Sequence, residues 1–223
     1  MFAIIKHIRI LLGAKSMPNK QFMPSDLNNT STENNASLSI DKNALGWYVM
    51  KVLWRQEVKT QQRFAEFGLE SYVPMRQILC EDARHRKQRV MVPAINGLVF
   101  VFSSIKKLEE VKEFVRINYG QTVYFYTNHV GGRNVITSIP EKQMADFRSA
   151  CDIAGDEVRF FLPEELELSR GTRVRIHGGP FEGREGVLLK VKGKRSKSLV
   201  VSIEGFISAV VADISPDFIE KLS

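Results

Sequence analysis

Arg55, Lys59 and Arg63 recur at every fourth position, so a helix running through them carries three cations along one face. The stretch EDARHRKQR adds Arg84, Arg86, Lys87 and Arg89 beside the acidic pair Glu81 and Asp82, and KGKRSK forms a third cationic run at 192–197. Guanidinium and ammonium groups so spaced can meet backbone phosphates, and a few such contacts make binding salt-sensitive. The same residues also suit a solvated helix face and polar loops. No base sequence follows from them, because sequence is read at base edges and not at phosphates.

Residues for covalent or metal chemistry are not gathered in the sequence. His7, His85, His129 and His177 are scattered, and no Cys/His or carboxylate group has ligand spacing. Gly131-Gly132-Arg133 lacks the following helix and lysine of a phosphate loop and reads as a hairpin turn. No catalytic residue, metal or cofactor is expected. Cys80 and Cys151, the 2 cysteines of 223 residues, exclude a disulfide framework and fit a reducing, cytoplasmic setting.

The net charge of +7 points toward acidic partners and is unevenly spread. Residues 47–151 carry 16 Lys and Arg against 10 Asp and Glu, residues 152–168 carry 1 against 6, and residues 169–223 carry 10 against 6. An acidic linker, 152–167, thus separates two basic domains, 45–151 and 168–223. MFAIIKHIRILLGA is broken by Lys6, His7 and Arg9, too short and charged to span a bilayer and unlike a secretory leader, so no stable membrane association is expected. Residues 17–44 are rich in Asn, Ser and Thr and poor in aromatics, and the whole of 1–44 is expected to be a disordered extension.

Order is expected from Leu45. LGWYVMKV reads as a strand, and WRQEVKTQQRFAEFG has helical spacing with Trp54, Val58, Gln61 and Ala65 on one stripe, Phe64 and Phe67 widening it. ESYVPMRQILC reads as a strand, RVMVPAINGLVFVFSS as two more, and SIKKLEEVKEFVR as a helix burying Ile105, Leu108, Val111 and Val115. QTVYFYT and NVITS read as strands, and IPEKQMADFRSAC as a helix with Met144, Phe147 and Cys151 inward. The short β–β connections predict an α+β domain, an antiparallel sheet packed with helices.

The last quarter alternates strictly. Val174 and Ile176 share a face, as do Val187, Leu189 and Val191, then Leu199, Val201 and Ile203, then Ile207, Ala209 and Val211. Four such runs broken by turns predict a small SH3-like β-barrel. The bend GGPFEG leaves Phe181 at a tip, where its ring has little core to fill, so Phe181 is the candidate partner-binding residue of this domain.

Val174-Arg175-Ile176, Gly179-Pro180-Phe181-Glu182-Gly183 and Gly186-Val187 resemble the KOW motif of NusG-type transcription elongation factors. Trp47-Tyr48-Val49, and Val92-Pro93 with Gly97-Leu98-Val99-Phe100-Val101, resemble the hallmarks of the NusG amino-terminal (NGN) domain. The likeness spans residues 45–221 in the family's order. The Asn-rich front extension and the basic connector at 84–89 resemble most the UpxY-type antiterminators of capsular polysaccharide operons.

The resemblance implies a role in transcription. An apolar patch, here Ile95, Leu98 and Phe100 with Tyr48 at its border, is implied to grip the clamp helices of RNA polymerase. Gln56 and Lys59 match positions that touch non-template DNA in operon-specific paralogues. With Arg55, Arg63, Arg84 and Arg86 they are the candidate contacts to that strand or to nascent RNA. The Phe181 loop is implied to dock ribosomal protein S-ten or the termination factor Rho. Glu204 replaces a second family aromatic, so weak or altered binding is expected there. The many glycines and β-branched residues of 171–211 predict a permanent barrel, untethered to the NGN domain, on an extended linker. The implied function is polymerase-bound antitermination. A housekeeping NusG elongation factor and a KOW-type ribosome-associated RNA-binding protein are the alternatives.

Overall fold

Alternation of aromatic and β-branched residues in LGWYVMKV makes β1 (Leu45–Val52) the centre of the first sheet. It is followed by α1 (Glu57–Glu66), β2 (Glu70–Tyr72), β3 (Met75–Glu81), β4 (Lys87–Pro93), β5 (Leu98–Ser104) and α2 (Ile105–Tyr119), then β6 (Val123–Phe125), β7 (Asn128–Val130), β8 (Arg133–Val135) and α3 (Glu141–Ala154). The computed structural model describes residues 41–53, 55–83, 85–130, 132–162, 165–190 and 197–222. The expectations placed on 1–40, Trp54, Arg84, Gly131 and residues 191–196 lie outside the described residues.

The antiparallel sheet runs β2-β5-β1-β6, while β3–β4 and β7–β8 form separate two-stranded ribbons. The strand expected over ESYVPMRQILC is cut in two around Val73-Pro74, where proline offers no donor to continue a ladder. EDARHRKQR is no loose excursion: its ends prolong β3 and β4 as far as Glu81 and Lys87, and Asp82 N–H donates to the Arg86 carbonyl.

Both faces of the sheet are apolar. Tyr48, Met50, Val52, Val99 and Val101 face α1 and α2. In α2 the expected stripe Ile105, Leu108, Val111 and Val115 is buried, Ser104 caps its start, and Gly120 ends it at φ 61°. In α1 the buried residues are Glu57, Thr60 and Phe64; Phe64 faces inward as expected, but Val58 and Ala65 are exposed. Arg55, at φ 68°, lies before the helix and delays its start, and the inward threonine finds partners. Thr60 Oγ1 donates to the Gln56 carbonyl at 2.8 Å and accepts from the Gln121 amide.

The other face, Trp47, Val49 and Phe100, lies under α3, whose Met144, Phe147, Ala150 and Cys151 point inward as expected. Burial pushes the Cys151 thiol up to about 12, which keeps it protonated and inert.

Beyond α3 come β9 (Arg159–Phe161), β10 (Thr172–Ile176), β11 (Glu185–Leu189), β12 (Ser198–Ile203), β13 (Ile207–Asp213) and β14 (Ile219–Lys221), in the antiparallel order β14-β10-β11-β12-β13-β9. Four of these are the expected strands. Val174, Ile176, Leu199, Val201, Ile203, Ile207, Ala209 and Val211 line one interior. β11 has the opposite phase to the one expected. Leu188 faces that interior, because it stands opposite Thr172 and Leu199, while Val187 pairs with Val200 on the outer side.

The segment expected as an extended linker is packed. β9 pairs with β13, and Phe161, Leu166 and Leu168 cover Val200 and Val210 on the outer face. Burying a leucine contributes about 1.5–3 kcal/mol, whereas repulsion between solvated like charges costs well under about 1 kcal/mol. The leucines therefore decide the path. Nor is the barrel untethered: its interior and the α3 face of the first sheet merge into one buried apolar cluster. Among the described residues no helix is long and apolar enough to cross a membrane.

Gly186 lets β11 and β12 close up, since a Cβ there would lie 2.6 Å from the Val200 carbonyl oxygen and 2.8 Å from Leu199 Cδ1. Gly186→Ala is expected to cost about 1–3 kcal/mol by overpacking, read as a melting temperature several degrees lower.

Candidate interaction face

Strand register sets out the α3 side of the first sheet in rows. Tyr72, Phe100 and Val49 form one row across β2, β5 and β1, continued by Tyr126, whose N–H donates to the Val49 carbonyl at 2.8 Å. Leu98, Lys51 and Tyr124 form the next row across β5, β1 and β6. The first row is covered: Phe100 has no exposed surface, and its ring centroid lies 5.6 Å from that of Phe147 on α3. The second is open, with Lys51 exposed and Leu98 half-buried.

The candidate patch is thereby divided. Ile95 and Phe100 are buried in the α3-side cluster and Leu98 packs at its margin. Tyr48 is on the opposite face, buried beneath the helices, because alternation turns it away from Val49 and Phe100. Burial raises its phenol pKa above the usual value.

The turn that carries Ile95 and Leu98 is clamped at Gly97. Gly97 takes φ 72°, a conformation a side chain disfavours, and its carbonyl accepts from Val52 N–H at 2.9 Å. Its own N–H donates to Glu57 Oε1 at 2.5 Å. Glu57 is buried at the first turn of α1, where the helix dipole favours a carboxylate. Its second oxygen, Oε2, has no hydrogen-bond partner. Sequence reasoning missed Glu57, since a glutamate between Gln56 and Val58 reads as solvent-facing.

The candidate cations do not form one ridge. Lys59 is exposed on α1, and Arg55 is exposed at the bend before it. Gln56 is half-buried at the helix start. Arg63 is committed elsewhere: it pairs with Glu66 at 2.7 Å and stacks 3.8 Å from the Tyr119 ring centroid. Arg86 is exposed but pairs with Asp82 at 2.8 Å across the β3–β4 turn.

The barrel closes on α3 and Tyr126. Gln143 Oε1 accepts from Glu204 N–H at 3.2 Å, and Phe206 lies 5.1 Å from the Tyr126 ring. Lys142 of α3 pairs with Asp146 at 2.9 Å and with Glu185 of the barrel at 3.3 Å, and Arg184 reaches Asp146 at 3.4 Å. Phe181 is not an open tip, for only 7 % of it is exposed. The bend folds back, Gly183 N–H donating to the Ile176 carbonyl at 2.7 Å, and tucks the ring into the shared cluster.

Charge steers this seam. Hydrogen bonding from Arg175, then from Lys142, holds the Glu185 carboxyl below the usual carboxylate range. Hydrogen bonding to Asp146 holds the Lys142 ammonium above the usual lysine range. The arrangement buries apolar surface at the seam and leaves Lys59 and Arg55 exposed on α1 and the bend before it.

Residues 45–148 match the protein family described as NusG, transcription termination factor. The transcription termination/antitermination protein NusG of Borreliella burgdorferi is 24% identical over 186 residues, which cover 79% of this chain and 98% of that protein. A solved structure described as "Domain interaction in Thermotoga maritima NusG" is 23% identical, with a TM-score of 0.39, over 81% of this chain and 98% of that one.

Removing the Glu57 carboxylate should cost about 1.5–3 kcal/mol, as for a charged hydrogen bond. Glu57→Ala is expected to be the more destabilising and Glu57→Gln the milder, because a glutamine oxygen still accepts from Gly97; denaturant unfolding reads the order. The folded pKa of Glu185 is depressed, so its contribution is full above the unfolded carboxylate value and is lost as pH falls through the folded one. That of Lys142 is lost only as pH rises past the raised lysine value. Small-angle scattering should therefore show the seam loosening on acidification below the carboxylate range and holding through neutrality.

Proposed function

We propose, from the match of residues 45–148 to the NusG family, that the chain is a transcription termination/antitermination factor that binds RNA polymerase and suppresses pausing and termination. The observation that carries this reading is the clamped Gly97 turn. It holds Leu98 at the margin of an apolar sheet face, beside the buried Ile95, fixed by Glu57 and Val52. Rigid presentation of an apolar edge lowers the ordering cost of association. A factor that binds the closed, elongating polymerase better than its opened, paused form shifts the population toward elongation.

The docked barrel supports antitermination over help to Rho. Phe181, the residue that would meet Rho or a ribosomal protein, is buried, and the backbone N–H of Glu204 is held by Gln143 of α3. The front extension and the basic β3–β4 turn support operon specificity, and a capsular polysaccharide locus is the operon class proposed. Lys59, Arg55 and Arg86 are the proposed contacts to non-template DNA or nascent RNA, within a cytoplasmic complex.

Transcript-length assays with purified polymerase test this. The wild-type chain should lengthen products past pause and termination sites, and Leu98→Glu should abolish the effect while leaving the melting temperature unchanged. Phe100 is unsuitable for that test, because a charge in its fully buried site would unfold the sheet. Products of unaltered length with the wild-type chain would refute the proposal, and polymerase occupancy across the genome would decide whether one operon responds.

A further inference from the structure

The side of α2 turned away from the sheet carries apolar groups that nothing in the domain covers. Phe114 is 43% exposed, Ile117 66% and Tyr119 40%. They stand together near the end of the helix, and Phe67 joins them from just past the end of α1. The Phe114 ring centroid lies 5.1 Å from that of Phe67, edge to face, and 6.2 Å from that of Tyr119. The Arg63 guanidinium lies over the Tyr119 ring and holds it in place. The cluster is thus ordered in advance, which lowers the cost of association. An exposed apolar patch rimmed by polar groups marks an interaction surface.

The rim decides the occupant. Lys107–Glu110 at 3.6 Å, Glu113–Arg116 at 2.5 Å and Arg63–Glu66 at 2.7 Å are ion pairs that sum to zero, although the chain carries +7. A phosphate backbone or an anionic lipid surface requires an excess of cations. A second copy does not. Two chains of +7 repel each other over most of their surface, and least where local charges cancel. The patch is also self-complementary, as a two-fold contact demands. Antiparallel packing of α2 on α2 sets Phe114 of one copy against Ile117 of the other, because the two lie three residues apart on one ridge. The same packing brings Arg116 toward Glu113 of the partner subunit.

We propose that the outer side of α2, centred on Phe114 and Ile117, is a self-association surface through which two copies pair about a two-fold axis. Three part-exposed side chains cannot fill the roughly 800 Å² per partner of a standard interface, so the dimer is weak and forms in the micromolar range. The helix α2 covers the opposite face of the sheet from α3, so pairing leaves the Leu98 margin free.

Sedimentation velocity on the full chain, before and after nuclease treatment, tests this. The wild-type chain should pass from monomer to dimer across micromolar concentrations. Added salt should preserve or strengthen the dimer, because it screens the repulsion between the chains and leaves apolar burial intact. Ile117→Glu should weaken self-association about tenfold or more, and Leu79→Glu, at an exposed site on β3, should leave it unchanged. Glu113→Arg and Arg116→Glu should each weaken it about tenfold through like charges on the two rims. A mixture of those two variants should regain the dimer, since each rim then meets its opposite sign. All four sites are exposed, and unchanged melting temperatures would verify folding. A wild-type chain that stays monomeric up to millimolar concentration would overturn the proposal. So would a dimer that survives Ile117→Glu, one that Leu79→Glu abolishes, or one that salt or nuclease removes. A mixture no more associated than its two components would overturn the two-fold pairing.

Discussion

A four-stranded sheet with two apolar faces must be covered twice, and that requirement organises the molecule. The helices α1 and α2 cover Met50, Val99 and Val101, while α3 covers Val49 and Phe100. Apolar surface left in water costs roughly 25 cal/mol per Å², so neither face can remain bare. The helix α3 is narrower than the face it covers, and the barrel completes the cover at Tyr126. One row, Leu98–Lys51–Tyr124, is left open, with lysine keeping its ammonium at the surface above apolar neighbours.

Precision at the margin comes from polar groups. Gly97 can hold its turn only because its N–H and C=O are both engaged, by Glu57 and Val52. The negative charge sits where the first turn of α1 tolerates it, which ties the phase of that helix to the position of Ile95 and Leu98. The cations that would serve a nucleic acid are handled differently. Arg63 and Arg86 are partnered within the chain, so a phosphate would have to compete with Glu66 and Asp82 for them.

The docked barrel joins two kinds of contact with different sensitivities. Phe206 on Tyr126 and the buried cluster around Phe147 and Phe160 are apolar and indifferent to salt. The chain Arg184–Asp146–Lys142–Glu185 is partly solvated, so salt and acid weaken it. A seam of this composition joins apolar burial, which salt leaves alone, to ion pairs that salt and acid weaken.

Local pattern determined much of this protein. The α2 stripe, the inward residues of α3 and three of the four expected barrel strands follow from periodicities of 3.6 and 2, which depend only on backbone geometry. The break between two strands at Gly97 was legible because a positive φ excludes most other residues. Tertiary structure alone decided the rest. The phase of β11 was set by its partners Thr172 and Leu199, and the start of α1 by the bend at Arg55. The burial of Glu57 and Phe181, the packing of the acidic segment and the docking of the barrel depend on surfaces brought together from distant parts of the chain. No window of sequence reports what lies opposite it in space, so those choices were made only when the faces met.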